Sequence, residues 1–461
     1  MALLGAFVVP HPPLIIPEIG RGEEKEINCT IKNYHKVAKR IAELNPDTII
    51  IASPHSIMYS DYIHISPGEV AKGNFSGYGA NEVSFKVNYD QELVKALEDV
   101  ASMQGLSAGT QGEKEPSLDH GTMIPLYFIQ QYIKEFKLVR MGLSALSVMD
   151  HYHMGKLITM VAEELDRRIV FIASGDLSHK LKEDGPYGFA KEGVQFDREI
   201  VEGLKKADFI HLMELPTEIC EKAAECGYRS FITMAGVLDG KEVETDFMSY
   251  EGPFGVGYAV SAYEPIGIDS KRKFNQIFKR RQQEAASRRK KNEDAYVQLA
   301  RHSIESYIKT GKAMSLPDKL PEEMLNKKAG VFVSLKKHGN LRGCIGTISP
   351  VTESIAHEIV RNSIEAAMMD PRFPPVKAEE LDQLVYSVDV LGEPEKIESF
   401  DELDVKRYGV IVSSGFKRGL LLPNLEGVNE VEQQIAIAKS KAGVTKGEKV
   451  VIERFEVVRH Q

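Results

Sequence analysis

The sequence predicts an α/β domain with a mainly parallel sheet, followed by a smaller α+β domain. Three observations carry this reading. Short β-branched runs alternate with amphipathic runs through the first half of the chain. A strongly basic stretch then breaks the pattern. Beyond it, hairpin-like and helix-like segments follow in a different order.

Taken along the chain, "GAFVVP" and "DTIIIASPHS" read as buried strands, each ending in a polar turn. Between them "NYHKVAKRIAELNP" is amphipathic and stops at Pro46, as a helix should. "KLITMVAEELDRR" and "IVFIASGDLSH" repeat the order of helix, strand and turn. "EGPFGVGYAVSAYEP" closes the domain with a Gly-rich turn and a strand. These boundaries give a first domain over 1–266. The basic run "KRKFNQIFKRRQQEAASRRKKNED" lies in a connector over 267–294 and reads as a solvated linker helix. The second domain spans 295–461. There "AYVQLARHSIESYIKTGK" is an amphipathic helix, and "GVFVSLKKHGNLRGCIGTISP" is a hairpin turning at "HGN". "VTESIAHEIVRNSIEAAMMD" is a helix ended by "PRFPP". "YSVDVLG", "GVIVSSG", "RGLLLP" and "VVIERFEVV" are strand-like.

A length of 461 residues exceeds one ordinary core, which agrees with two domains. Hydrophobic residues make up 43% and charged residues 27%, as in water-soluble globular chains. The net charge of −9 argues against general nucleic-acid binding. No apolar run approaches the length of a membrane span, and the N-terminus lacks the basic start of a signal peptide. The four cysteines share no metal-type spacing. A reduced, cytoplasmic chain is expected.

In parallel sheets, sites form at the carboxyl ends of strands. His11, His55 and His179 each follow a strand-like run. Pro10, Pro12 and Pro13 stiffen the chain around His11, as a ligand that must be held still requires. His120 stands in "LDHGT" at a helix start, and Glu225 and Cys226 stand in "AAECGYRS". His35, His64, His151, His153 and His211 lie in helical or variable stretches and are given no metal role. Asp176 is read as a turn cap.

"PHPP", "SPHS", "DHGTMIPL", "SGDLSH" and "GPFGVGYAV" occur in order between Ala2 and Pro265. Together they resemble the class III extradiol dioxygenases of the LigB type and their Memo relatives. The resemblance implies one ferrous ion held by His11, His55 and a third ligand. Glu225 is the expected third ligand and Cys226 the alternative; a thiolate would suit copper or zinc instead. It also implies His179 as base and His120 as acid or oxygen-site residue in ring opening of a catechol-like diol. Where the thiolate serves, the alternative is a non-catalytic metal-holding module.

In the second domain, "LRGCIGT", "AAMMDPRFPP", "SVDVLGEPEKI" and "RGLLLPNLEG" resemble the AMMECR family from about Ala295 to Arg459. Arg342 and Cys344 sit between glycines, and strand alternation sends them to one side, where Arg342 could activate the thiol. The alternative reading of Cys344 is a buried strand cysteine packed on a tight glycine turn, and Asp370 and Arg372 either line the same cleft or simply end a helix. His302, His338 and His357 are scattered and form no ligand cluster. The fusion of the two units resembles the system in which Memo-like and AMMECR units accompany a radical SAM enzyme. The partners expected are therefore a small aromatic diol, a radical SAM protein and further copies of the chain, with no membrane and no nucleic acid.

Overall fold

A computed structural model of the chain describes residues 2–114, 117–337, 339–425, 427–445 and 447–461. His338, named above, lies outside them. The chain divides into two units, Met1–Arg280 and Arg281–Gln461. No helix among the described residues is long and apolar enough to cross a membrane.

The first unit is built on a six-stranded sheet of β1 (Leu3–Val9), β2 (Thr48–Ser53), β3 (Lys137–Gly142), β4 (Ile169–Ser174), β5 (Lys241–Glu251) and β6 (Tyr258–Ile268). Their spatial order is β3-β2-β4-β1-β6-β5. β3, β2, β4 and β1 run parallel, and β6 and β5 add an antiparallel hairpin at the β1 edge. The runs read as buried strands are buried on both faces, because alternate residues feed two cores. Val8, Ile50, Ala52 and Phe171 pack with the helices Gln91–Met103, Val148–Glu164 and Tyr228–Val237. Phe7, Val9, Ile51 and Ile172 pack with Asn28–Leu44 and His120–Ile129. β2, β4 and β1 are neighbours, so the segments that leave their carboxyl ends emerge side by side.

Two of these helices touch backbone to backbone. A Cβ at Gly155 would collide with the Thr233 carbonyl, and one at Gly236 with the Tyr152 carbonyl. The contact sets the depth of Tyr228–Val237, whose preceding turn carries Cys226.

The second unit holds two antiparallel sheets. One orders Asn340–Gly346, Val331–Lys337, Leu384–Leu391 and Val457–His460. Its core is closed by the helices Ala295–Thr310 and Ile355–Met368. The other orders Glu395–Lys396, Val451–Phe455, Gly409–Ser414 and Lys417–Leu421, with the helix Val431–Ala442 packed on it. Asp294 caps Ala295–Thr310 by accepting the Tyr296 and Val297 N–H groups. The basic run forms a helix, Phe274–Asn292.

Gly236→Ala is expected to destabilise the first unit by about 1–3 kcal/mol through overpacking. Ala235→Gly, at a fully buried position of the same helix, should also lower stability. Chemical unfolding of both variants checks this. A second prediction concerns Asp197, which is 3% exposed and accepts the Ser178 N–H at 2.7 Å and the Tyr250 hydroxyl at 2.6 Å. Burial pushes its carboxyl up to about 7, against those two donors. Its folded state therefore holds a proton that the unfolded chain has lost, and its contribution to stability falls as pH rises from about 4 to about 7. Asp197→Asn should flatten that part of the stability curve, read by urea unfolding at pH 4.5 and 7.5. An unchanged slope would refute the assignment.

Candidate metal centre

The segments leaving β1, β2 and β4 converge. His11 is 1% exposed, and its Nε2 lies 3.0 Å from His55 Nε2 and 3.5 Å from Cys226 Sγ. These three donor atoms form a group of metal-binding size. Asp176, His179 and Cys226 form a second group sharing the same sulfur.

Each donor is held from behind. Asp176 Oδ1 accepts the His11 backbone N–H at 2.8 Å, and the Asp176 N–H points at Cys226 Sγ, 3.3 Å away. Asp176 is thus a buried strut between two donors, not the turn cap its position suggested; the His11 amide has claimed its carboxylate. Ser174 Oγ lies 2.9 Å from His11 Nδ1. Ser53 Oγ accepts the His55 N–H at 3.2 Å and donates to Asp119 at 2.5 Å. Asp119 also caps the helix at His120 by accepting the Thr122 N–H. Ser53 and Ser174 were not singled out in the sequence. Their signal is the repeat of "IAS" at the ends of β2 and β4, each followed by a turn bearing a site residue.

Glu225 does not join the group. Its carboxylate turns to the start of the next helix and accepts the Tyr228 N–H at 2.6 Å. The neighbouring Cys226 faces His11 instead. The expected preference for Glu225 is therefore reversed in favour of Cys226, because the carboxylate satisfies an orphan helical donor. Gly227 makes this possible: a Cβ there would crowd the Asp176 carbonyl, and one at Gly175 would strike Gly227.

His120 and His179 flank the group. His120 stacks 4.0 Å from His55 between ring centroids, and its Nδ1 meets the Tyr78 hydroxyl at 3.2 Å. His179 lies 5.1 Å from the Tyr187 ring, and its buried Nε2 has no hydrogen-bond partner. Burial, helped by the charge of His55, pushes both imidazoles down to about 4, with Asp119 opposing at His120. Burial first, then the neighbouring imidazoles, holds His11 well below the usual histidine range. Burial raises Asp176 to about 7, and the His11 N–H opposes it. Burial, then Asp176 and Glu225, raises the Cys226 thiol well above its usual value.

The donor set fits a metal ion. Two imidazole nitrogens and a sulfur converge at close range, and a further buried nitrogen is unsatisfied. His151 and His64 are engaged elsewhere: His151 Nε2 accepts the Ser144 N–H at 3.2 Å, and His64 Nε2 lies 2.9 Å from the Glu113 carbonyl.

In the second unit, Asp370 accepts the Cys344 N–H at 2.8 Å, and Arg372 pairs with Asp370 and donates to the Cys344 carbonyl at 3.1 Å. Arg342 is not part of this cluster in the expected way. It is the extra residue of a β-bulge, where Leu335 faces Gly343 and Lys336 faces Leu341. Its guanidinium grips Glu380 at 3.0–3.1 Å instead of the thiol. Cys344 Sγ meets Ser334 Oγ at 3.2 Å.

Comparison with known proteins agrees with this division. A family profile described as the catalytic LigB subunit of aromatic ring-opening dioxygenase matches residues 5–261, and the AMMECR1 profile matches 297–460. A protein of Clostridium acetobutylicum is 45% identical over 478 aligned residues, covering 100% of both chains. A Thermotoga maritima protein is 49% identical over 171 residues, 37% of this chain and 98% of that one. The crystal structure of an uncharacterized Pyrococcus horikoshii protein covers 36% of this chain and 88% of its own, at 38% identity and a TM-score of 0.34. The chain belongs to the LigB family of aromatic ring-opening dioxygenase subunits, with an AMMECR1 domain fused behind the LigB domain.

Proposed function

We propose that the first unit holds a ferrous ion between His11, His55 and Cys226 and opens the ring of a small aromatic diol with dioxygen. The observation that carries this is the pairing of a three-donor group with two further imidazoles outside it, both held neutral near pH 7. Bound iron would supply open positions for the diol and for dioxygen, and the electrons that dioxygen activation needs. The chain supplies the rest. His179, whose Nε2 is unsatisfied, takes a proton from the diol hydroxyl. The proton held on His179 is returned as the ring bond breaks, and His120, steadied by Tyr78, is the oxygen-site residue. Tyr78 and Tyr187 offer aromatic faces at the exposed rim. One diol and one dioxygen give one ring-opened product that keeps both oxygen atoms, so no other reductant is consumed.

A second reading is favoured by one observation, the sulfur of Cys226 in the ligand group. Thiolate suits copper(I) or zinc. The unit would then be a Memo-like metal-holding module, working with a radical SAM protein.

Metal titration without oxygen tests the ligand set. His11→Ala and His55→Ala should abolish binding. Cys226→Ser should weaken it by at least tenfold, and Glu225→Gln should leave it within a few-fold of the parent. Loss in the glutamine variant with retention in the serine variant would restore Glu225 as ligand. Ring opening is tested by single turnover with a panel of catechols. His179→Ala and His120→Ala should keep iron and lose roughly 10²–10⁴ in rate. If the iron-loaded parent consumes no dioxygen with any diol, the module becomes the better reading.

A further inference from the structure

The helix His120–Ile129 contains Pro125. Proline has no N–H, so the carbonyl four residues before it, that of Gly121, loses its helical donor. That carbonyl accepts the Ser174 hydroxyl instead, at 2.6 Å. Gly121 is needed for the approach, since a Cβ there would run into Ser53 Oγ and sit 3.4 Å from His11 Nδ1. Ser174 is fully buried, and its other polar neighbour is His11 Nδ1 at 2.9 Å.

A serine hydroxyl has one proton. Once that proton is given to Gly121, the oxygen can only accept. Nδ1 of His11 must then be the donor, and a neutral imidazole with its proton on Nδ1 has a bare Nε2. Nε2 is the atom that faces His55 and Cys226.

We propose that Pro125, acting through the Gly121 carbonyl and the Ser174 hydroxyl, locks His11 in its Nδ1–H tautomer and so presents a bare Nε2 to the metal position. The use of that nitrogen rests on the metal reading above; the lock does not. Ser174 and Pro125 are positioning residues here. Ser174 meets His11 at Nδ1 and not at the nitrogen that faces the donor group, and Pro125 acts through it; together they decide which ring nitrogen of His11 carries the proton. An orienting contact of this kind typically changes metal affinity by 10–100-fold.

Side-chain ¹⁵N spectra of the metal-free, full-length chain labelled at histidine read the tautomer directly, with His11→Ala identifying the signal. The parent should show a protonated Nδ1 and a bare Nε2 at His11. Ser174→Ala removes one buried oxygen and leaves the fold, checked by its unfolding curve. In it the His11 proton should move to Nε2 or divide between the two nitrogens. Zinc, as a redox-silent probe, should bind that variant about 10–100-fold more weakly. Pro125→Ala returns an N–H that competes for the Gly121 carbonyl, and should shift the His11 tautomer in the same direction by a smaller amount. A parent with its proton on Nε2 overturns the proposal, as does a Ser174→Ala variant that keeps both the parent tautomer and the parent zinc affinity. A parent that shows the Nδ1–H tautomer but binds neither zinc nor ferrous iron keeps the lock and overturns the metal reading.

Discussion

The centre depends on a place where two backbones touch. The turn after β4 and the turn before Tyr228–Val237 meet at Gly175 and Gly227, with no room for a side chain at either. That contact brings the Asp176 N–H to Cys226 Sγ and the Gly227 N–H to the Asp176 carbonyl at 3.0 Å. The same Asp176 grips the His11 backbone. Three segments far apart in sequence are thereby tied by one buried aspartate, and the donors inherit the stiffness of the sheet below them. A site built in this way is held by rigid elements, not by loop closure.

Much of this was legible in the sequence because the parallel sheet obeys a simple rule. β-branched runs that are buried on both faces announce themselves, and sites gather at their carboxyl ends. His11, His55 and His179 could be placed together on that ground. The choice between Glu225 and Cys226 could not, because adjacent residues at a helix start compete for two roles. One must answer the unsatisfied helical donor and the other faces the site, and chemistry of the ion does not settle which. Ser174 was hidden for a different reason: a serine at a strand end is ordinary until its single proton is accounted for. In the second unit, alternation misplaced Arg342 because a β-bulge intervenes between it and its neighbours. A bulge leaves little trace in a single sequence beyond its glycine.

Among the described residues, the second unit holds no metal-sized donor group like that of the first. Its motif "LRGCIGT" is held by carboxylates: Asp370 on the Cys344 amide and Glu380 on Arg342. The side-chain bond from Arg372 leads the interactions that push the Asp370 carboxyl below the usual carboxylate range. The backbone on both sides of Cys344 is therefore fixed by charge-assisted bonds, while the sulfur meets the Ser334 hydroxyl and interacts with the Arg372 side chain. Such bonds set the position of the strand edge.

The electrostatics of the first unit explain why its donors can lie so close together. Burial disfavours every charged form: imidazoles are driven toward neutrality from one side, and thiol and carboxyl from the other. Neutral groups can crowd to 3.0 Å without Coulomb repulsion. A bound cation would reverse the balance. Its charge would offset the desolvation that holds the proton on the thiol. The same burial that makes a lone thiolate costly would make each cation–donor contact strong, since little water remains to screen it. Neutral imidazoles with free lone pairs need no such exchange. The thiol of Cys226 would therefore be the group whose proton such an ion displaces, and His11 Nε2 stands 3.5 Å from its sulfur.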